Sequence, residues 1–167
     1  MDDQSDGWRS DRIGSALRGT NPTVMARMPG AFAVIGDVQW LPGYSVLLVD
    51  RPEVGGLMDL DPDARLQYLA SMATLGEAVE SACRTADSSF RRLNFDILGN
   101  TDEFLHAHVW PRYDWEPAER VTKPVWQYPA EFWTLPSVRL GPRHDQLRAA
   151  ITAELIRLGA TDTYTDS

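Results

Sequence analysis

The sequence predicts an α+β domain, an antiparallel sheet with helices on one face. Two observations carry that prediction. Apolar runs of strand length stand on either side of one long stretch with helical spacing. A second helical stretch closes the chain after a region with no steady period. Strands set around long helices in this order are the pattern of a segregated sheet-and-helix architecture.

Ala31-Phe32-Ala33-Val34-Ile35-Gly36 reads as a short buried strand. Trp40-Leu41-Pro42-Gly43 is turn chemistry, because proline presets φ and glycine is free to take positive φ. Ser45 to Val49 then forms the second strand of a hairpin. The clearest helix follows, with Asp61 as N-cap and Pro62 in the tolerant first turn. Leu66, Leu69, Met72, Leu75, Val79 and Cys83 recur at spacings of three and four, which makes one apolar stripe suited to core packing. The helix is predicted to end before Asp87. Phe90 to Leu98 and Glu103 to Tyr113 read as two further strands joined by a turn at Gly99-Asn100. Residues 114–143 are rich in Pro, Trp and Tyr and are expected to wrap the surface irregularly. A last helix, about 144–158, carries Leu147, Ala150, Ile151, Leu155 and Leu158 on one side, with Gly159 as its stop.

At 167 residues the chain reads as one domain, 1–167, with polar ends (1 to about 10 and about 160 to 167) expected to fray. No run of about 18 apolar residues occurs, so no membrane helix is expected, and the acidic start is wrong for a signal peptide. The lone cysteine, Cys83, falls in the helical stripe and reads as a buried structural thiol. These features point to the cytoplasm. The net charge of −8 disfavours nucleic acid as a partner, whereas a small phosphorylated ligand needs only a locally positive pocket. The single lysine, Lys123, reads as compositional bias.

Two of the three histidines share one tripeptide, His106-Ala107-His108. Strand alternation turns Leu105, Ala107 and Val109 towards a helix, and Phe104, His106, His108 and Trp110 to the other face. That pair admits three uses: a solvated surface pair, two ligands of a metal site with Asp96 or Asp102 as a third, or nucleophilic and acid–base chemistry. His144, at the start of a polar helix, reads as a surface residue or cap. The Trp-rich stretch (Trp110, Trp115, Trp126, Trp133) reads mainly as packing, with a base pocket or dimer contact as its functional alternative.

The run Asn94-Phe95-Asp96-Ile97-Leu98-Gly99-Asn100-Thr101-Asp102-Glu103-Phe104-Leu105-His106-Ala107-His108-Val109-Trp110-Pro111-Arg112-Tyr113 resembles the signature of the histidine-triad (HIT) family. Pro111-Arg112 sets the register, so that His108, His106 and Phe104 take the third, middle and first histidine positions. Phe32 to Asp37 and Leu41 to Leu48 resemble the family's paired strands and Pro-Gly turn. About 12–117 can be laid against the family, which leaves 118–160 as a C-terminal extension ending in a helix.

The resemblance implies a HIT-like fold with a sheet of about five strands, and a catalytic pair. His106 would attack the α-phosphorus of a nucleotide and form a nucleotidyl-imidazole, while His108 stabilises charge on the phosphoryl oxygens. Asn94, Gly99, Asn100 and Thr101 would bind phosphate or leaving-group oxygens, and Asp37 the ribose hydroxyls. The implied substrate is a dinucleoside polyphosphate such as diadenosine tetraphosphate, or a phosphoramidate or adenylated metabolite. No metal or other cofactor is implied, apart from magnesium accompanying a polyphosphate; a homodimer is. Two departures stand out. Phe104 replaces the first histidine, which makes the triad degenerate, and Tyr44 stands where many relatives have a histidine. Arg112, counted here as facing away from the histidines, is weighed as a weaker phosphate ligand. A binding module that lost turnover and a metal-dependent enzyme remain as alternatives.

Overall fold

Five antiparallel strands form the sheet in the computed structural model, which describes residues 7–161. In chain order they are β1 (Val24–Met28), β2 (Ala31–Ile35), β3 (Ser45–Val49), β4 (Phe90–Asp96) and β5 (His106–Tyr113), and the spatial order is β1-β2-β3-β5-β4. β2 pairs with β3 through the predicted Pro-Gly turn. Gly43 takes φ +89°, and a β-carbon there would run into Cys83 Sγ, so the turn lies directly on the long helix. Tyr113 Oη donates to Pro42 O at 2.5 Å and pins the turn from the sheet side.

Of the helices, α1 (Gly7–Ser10) and α2 (Arg12–Leu17) precede the sheet, α3 (Pro62–Ala86) links its two halves, and α4 (Asp145–Arg157) ends the fold. The Asp61 side chain accepts from Ala64 N at 2.9 Å, and Asp87 closes the C-terminus of α3. α3 buries Tyr68, Ser71, Leu75, Ala78, Val79, Ala82 and Cys83 against the sheet. Each fully buried Leu or Val on that stripe is worth about 1.5–3 kcal/mol. Burial also raises the Cys83 thiol to about 11, which keeps it protonated. α4 packs beside α3 and against β1, so both long helices cover one face of the sheet.

Several expectations need correcting. Leu66 is 67% exposed, because the buried stripe begins at Tyr68, and Ala150 of α4 faces solvent while Ile151 and Leu155 are buried. β1 was not expected: bounded by Pro22 and Pro29 and containing Arg27, it shows neither alternation nor a continuous apolar run. β4 stops at Asp96, two residues early, and β5 starts at His106 rather than Glu103. Between them Leu105 N donates to Val54 O, which engages that segment outside the ladder. Residues 7–10 form a helical turn instead of fraying, with Trp8 buried beneath Arg9 and Arg12. Thr161, also expected to fray, exchanges two backbone hydrogen bonds with Arg27 of β1, and the rest of that expectation falls on 1–6 and 162–167, outside the described residues. No helix among the described residues is long and apolar enough to cross a membrane.

Residues 114–144 contain short 3-10 turns, at Val125–Gln127, Ala130–Trp133, Pro136–Val138 and Pro142–His144. The first two form a strap across the sheet face opposite α3. The strap is anchored by a buried ion pair, in which Glu116 accepts from Arg112 Nε and Nη2, from Tyr113 N and from Tyr128 Oη.

Candidate active site

The strap leaves part of that face open as a cavity of about 190 Å³ on β2, β3 and β5. Val34, Val46 and Leu48 form its apolar floor, and His106, His108 and Tyr44 stand over it. The register explains the grouping. Leu48 pairs with His106 and Val46 with His108, so alternate residues of two adjacent strands share the face.

His106 is 8% exposed, and its Nδ1 lies 2.8 Å from Phe104 O. A carbonyl oxygen only accepts, so Nδ1 carries a proton, and in the neutral ring the lone pair is on Nε2. Phe104 contributes in a second way, with its ring 5.2 Å from the imidazole. The two imidazoles meet edge to face, 4.8 Å between centroids at 78°.

His108 has a different environment. Tyr44 Oη lies 2.7 Å from its Nδ1, and the Tyr44 ring stacks on Trp110 at 3.6 Å and 3°. Burial raises the Tyr44 phenol well above its ordinary value, so it remains protonated. Imidazole nitrogen is the better acceptor of the two, and the hydroxyl therefore donates to Nδ1 and leaves the His108 proton on Nε2. Burial, reinforced by His106, lowers the pKa of His108 to about 3. At neutral pH it is an uncharged N–H donor. Gly36 makes room for this arrangement, since a β-carbon there would collide with the Tyr44 ring.

Asp37 also lines the cavity, with both carboxylate oxygens engaged by Arg12 at 3.2 and 2.8 Å and with Arg9 Nε 3.5 Å away. Burial works against the Arg12 charge, but the hydrogen bonds and attraction of Asp37 raise its pKa overall. Arg12 was not singled out in the sequence. The only local signal was the helix cap, where Asp11 accepts from Gly14 N; its meeting with Asp37 spans 25 residues.

The other implied phosphate ligands are placed elsewhere. Asn94 lies on the same face but in an adjoining cleft, its Oδ1 accepting from Arg112 Nη1 at 2.7 Å. Gly99 (φ +67°) lines a separate depression that touches His106 from the Gly55–Asp59 loop side. Asn100 and Thr101 are exposed, without side-chain hydrogen bonds among the described residues. The assignment of Arg112 to the opposite face is incorrect: positions 106, 108, 110 and 112 alternate onto one face, and Arg112 reaches Asn94 there. His144 is the N-cap residue of α4 but is buried, not on the surface, with Nδ1 accepting from Gly141 N at 3.0 Å. Asp102 lines the histidine cavity and Asp96 the adjoining cleft. No group of three or more His, Cys, Asp or Glu side chains is arranged to hold a metal among the described residues.

The tryptophans divide into two roles. Trp115 stacks on Tyr113 and donates to Asp87, away from the cavity. Trp126 and Trp133 of the strap stand parallel, 5.6 Å apart, and both meet the edge of buried Trp110. Trp133 forms a cavity wall, and Trp126 lies 5.0 Å from His108. The buried indole N–H groups of Trp40 and Trp110 have no hydrogen-bond acceptor among the described residues, and both indoles pack against neighbouring rings.

Comparison with solved structures gives the class of this fold. A histidine triad protein from Marinobacter aquaeolei VT8 superposes with a TM-score of 0.64 at 18% identity, covering 81% of this chain and 90% of its own. A hypothetical histidine triad nucleotide-binding protein from Sulfolobus tokodaii strain 7 gives 0.63 at 12% identity, covering 87% and 91%. A zinc-bound histidine triad family protein from Mycobacterium smegmatis gives 0.55 at 18% identity, covering 87% and 94%. No protein-family profile and no curated protein matches the sequence. The chain has the histidine-triad fold, and its paired histidines lie on the open face of that fold's five-stranded sheet.

Proposed function

We propose that the chain is a hydrolase or nucleotidyl transferase that cleaves at the α-phosphorus of a nucleotide with a substituted 5′-phosphate. The observation that carries this reading is the Nδ1–H of His106 donating to Phe104 O, which leaves Nε2 as the nucleophilic nitrogen of the neutral ring in a residue that lines the cavity. Nε2 attacks phosphorus and forms a P–N bond. The bond from phosphorus to the leaving group breaks, and the electron pair departs with that group. Water then attacks the nucleotidyl-imidazole, releasing the nucleoside monophosphate and restoring His106. His108, neutral and protonated at Nε2, donates to the phosphoryl oxygens as charge develops. Asp37, held by Arg12, stands at the end of the cavity suited to the ribose hydroxyls.

A dinucleoside polyphosphate such as diadenosine tetraphosphate is the leading substrate, ahead of a nucleoside phosphoramidate or an adenylated metabolite. The imidazole nucleophile needs no metal activation; magnesium accompanies a polyphosphate substrate. The acidic chain with its buried thiol fits the cytoplasm, and the resemblance implies a homodimer. The test is release of nucleoside monophosphate from these substrates by wild type and His106→Ala, with and without chelator. Release that survives chelation and vanishes in the variant is expected; loss on chelation overturns the metal-free mechanism. A second reading draws on Phe104, whose ring adds no polar partner to His106. If wild type binds nucleotide without turnover, the site is a binding module.

A further inference from the structure

A second cavity is larger than the one that holds the histidines. A cleft of about 650 Å³ runs along β4 on the same side as the strap segment 121–125. Its walls carry four cations, Arg91, Arg92, Arg112 and Lys123, against a single carboxylate, Asp96. The chain as a whole has net charge −8, so this is a local reversal of sign. Two of the cations are committed: Arg112 to buried Glu116, and Arg91 to Val121 O and, at 3.8 Å, to Asp114. Arg92 and Lys123, the only lysine in the chain, are exposed and have no side-chain hydrogen bond or ion pair among the described residues. Asn94 adds a polar wall between them, with its Oδ1 turned to Arg112.

The cleft adjoins the histidine cavity. Asp96 pairs across the ladder with His108, and Asn94 with Trp110, so the cleft opens one strand away from His108, about 5 Å in the pairing direction. The geometry points to a polyphosphate subsite: we propose that this cleft receives the anionic leaving group expelled from His106, which rests on the function proposed above. When the P–N bond forms, the bridging oxygen leaves with the electron pair on a phosphate chain, and Arg92 and Lys123 receive that added charge. A small neutral leaving group gains nothing from the cleft. The favoured substrate class is then a nucleotide joined through a phosphate chain, not a phosphoramidate. Asp96 opposes such an anion and sets the rim next to His108.

Two measurements test this. Inorganic tripolyphosphate is titrated by calorimetry into wild type, Arg92→Ala, Lys123→Ala, Asp96→Asn and His106→Ala. Loss of either cation should weaken binding roughly tenfold or more, as for a hydrogen bond to a charged group. Asp96→Asn should tighten it, and His106→Ala should leave it intact. No binding by wild type, or wild-type affinity in both cation variants, overturns the subsite whatever the fate of the nucleophile. Persisting, cleft-dependent binding in a protein without turnover instead removes the catalytic reading and keeps the cleft. The second measurement is the ratio of kcat/KM for diadenosine tetraphosphate to that for adenosine phosphoramidate. It should fall at least tenfold in Lys123→Ala, and an unchanged ratio overturns the leaving-group assignment.

Discussion

Tyr44→Phe removes one oxygen and keeps the ring that stacks on Trp110. Tyr44 is 6% exposed, and its hydroxyl makes one hydrogen bond among the described residues, the 2.7 Å contact with His108 Nδ1. The stack, worth about 0.5–1.5 kcal/mol beyond its area, survives the change, so the variant should fold. What is lost is the partner of a buried acceptor, at a cost of about 1–3 kcal/mol. Without that donor nothing holds the His108 proton on Nε2, and the tautomer with the proton on Nδ1 becomes populated. The proton then no longer points from Nε2 at the phosphoryl oxygens, and turnover should fall by about 10²-fold, the lower range for losing one donor to a developing oxyanion. Tyr44 thus acts as a positioning residue through His108. Urea denaturation reads the stability, and 15N NMR of the labelled imidazole reads the tautomer, which a merely structural role would not move. Tyr44→His, which restores a polar partner, should recover part of the rate. An unchanged tautomer with stability within about 0.5 kcal/mol of wild type would refute the assignment of that hydrogen bond.

Two further outcomes follow from buried charge. Glu116→Ala strands the Arg112 guanidinium, whose side chain is 4% exposed, and should cost about 3–5 kcal/mol in urea denaturation. It should also raise Trp126 accessibility to acrylamide, because the strap loses its anchor; a loss below about 1 kcal/mol would show that the pair does not hold it. The second concerns pH. The unfolded chain protonates His108 below about pH 6.5, whereas the native site resists until about pH 3, so stability should fall as pH is lowered through that window. The slope is up to about 1.4 kcal/mol per pH unit from this one group. His108→Gln should flatten it, and parallel curves for the two proteins would sink the argument.

Much of the fold was legible because its signals are local. Asp61 and Pro62 marked the start of α3, Pro42-Gly43 marked the turn that takes positive φ, and the alternation from Phe104 to Trp110 sorted the histidines from the helix-facing residues. Parity also places Arg112 on the face of His108, where it meets Asn94. β1 was illegible because arginine and flanking prolines broke its pattern, and it exists through pairing with β2. Arg12 gave no sign of meeting Asp37, because the contact depends on where a six-residue helix docks.

The sequence by itself determined the order and type of the main elements, the face on which the histidines stand, and the likeness of residues 94–113 to the histidine-triad signature. These follow from side-chain period and turn chemistry, which act over a few residues. Only the tertiary structure decided that Asn94 belongs to a second cleft, that Tyr44 and the Phe104 carbonyl set two imidazole tautomers, and that the strap covers Trp110. Those outcomes depend on strand register and on packing between residues up to 64 positions apart, where no local pattern carries information.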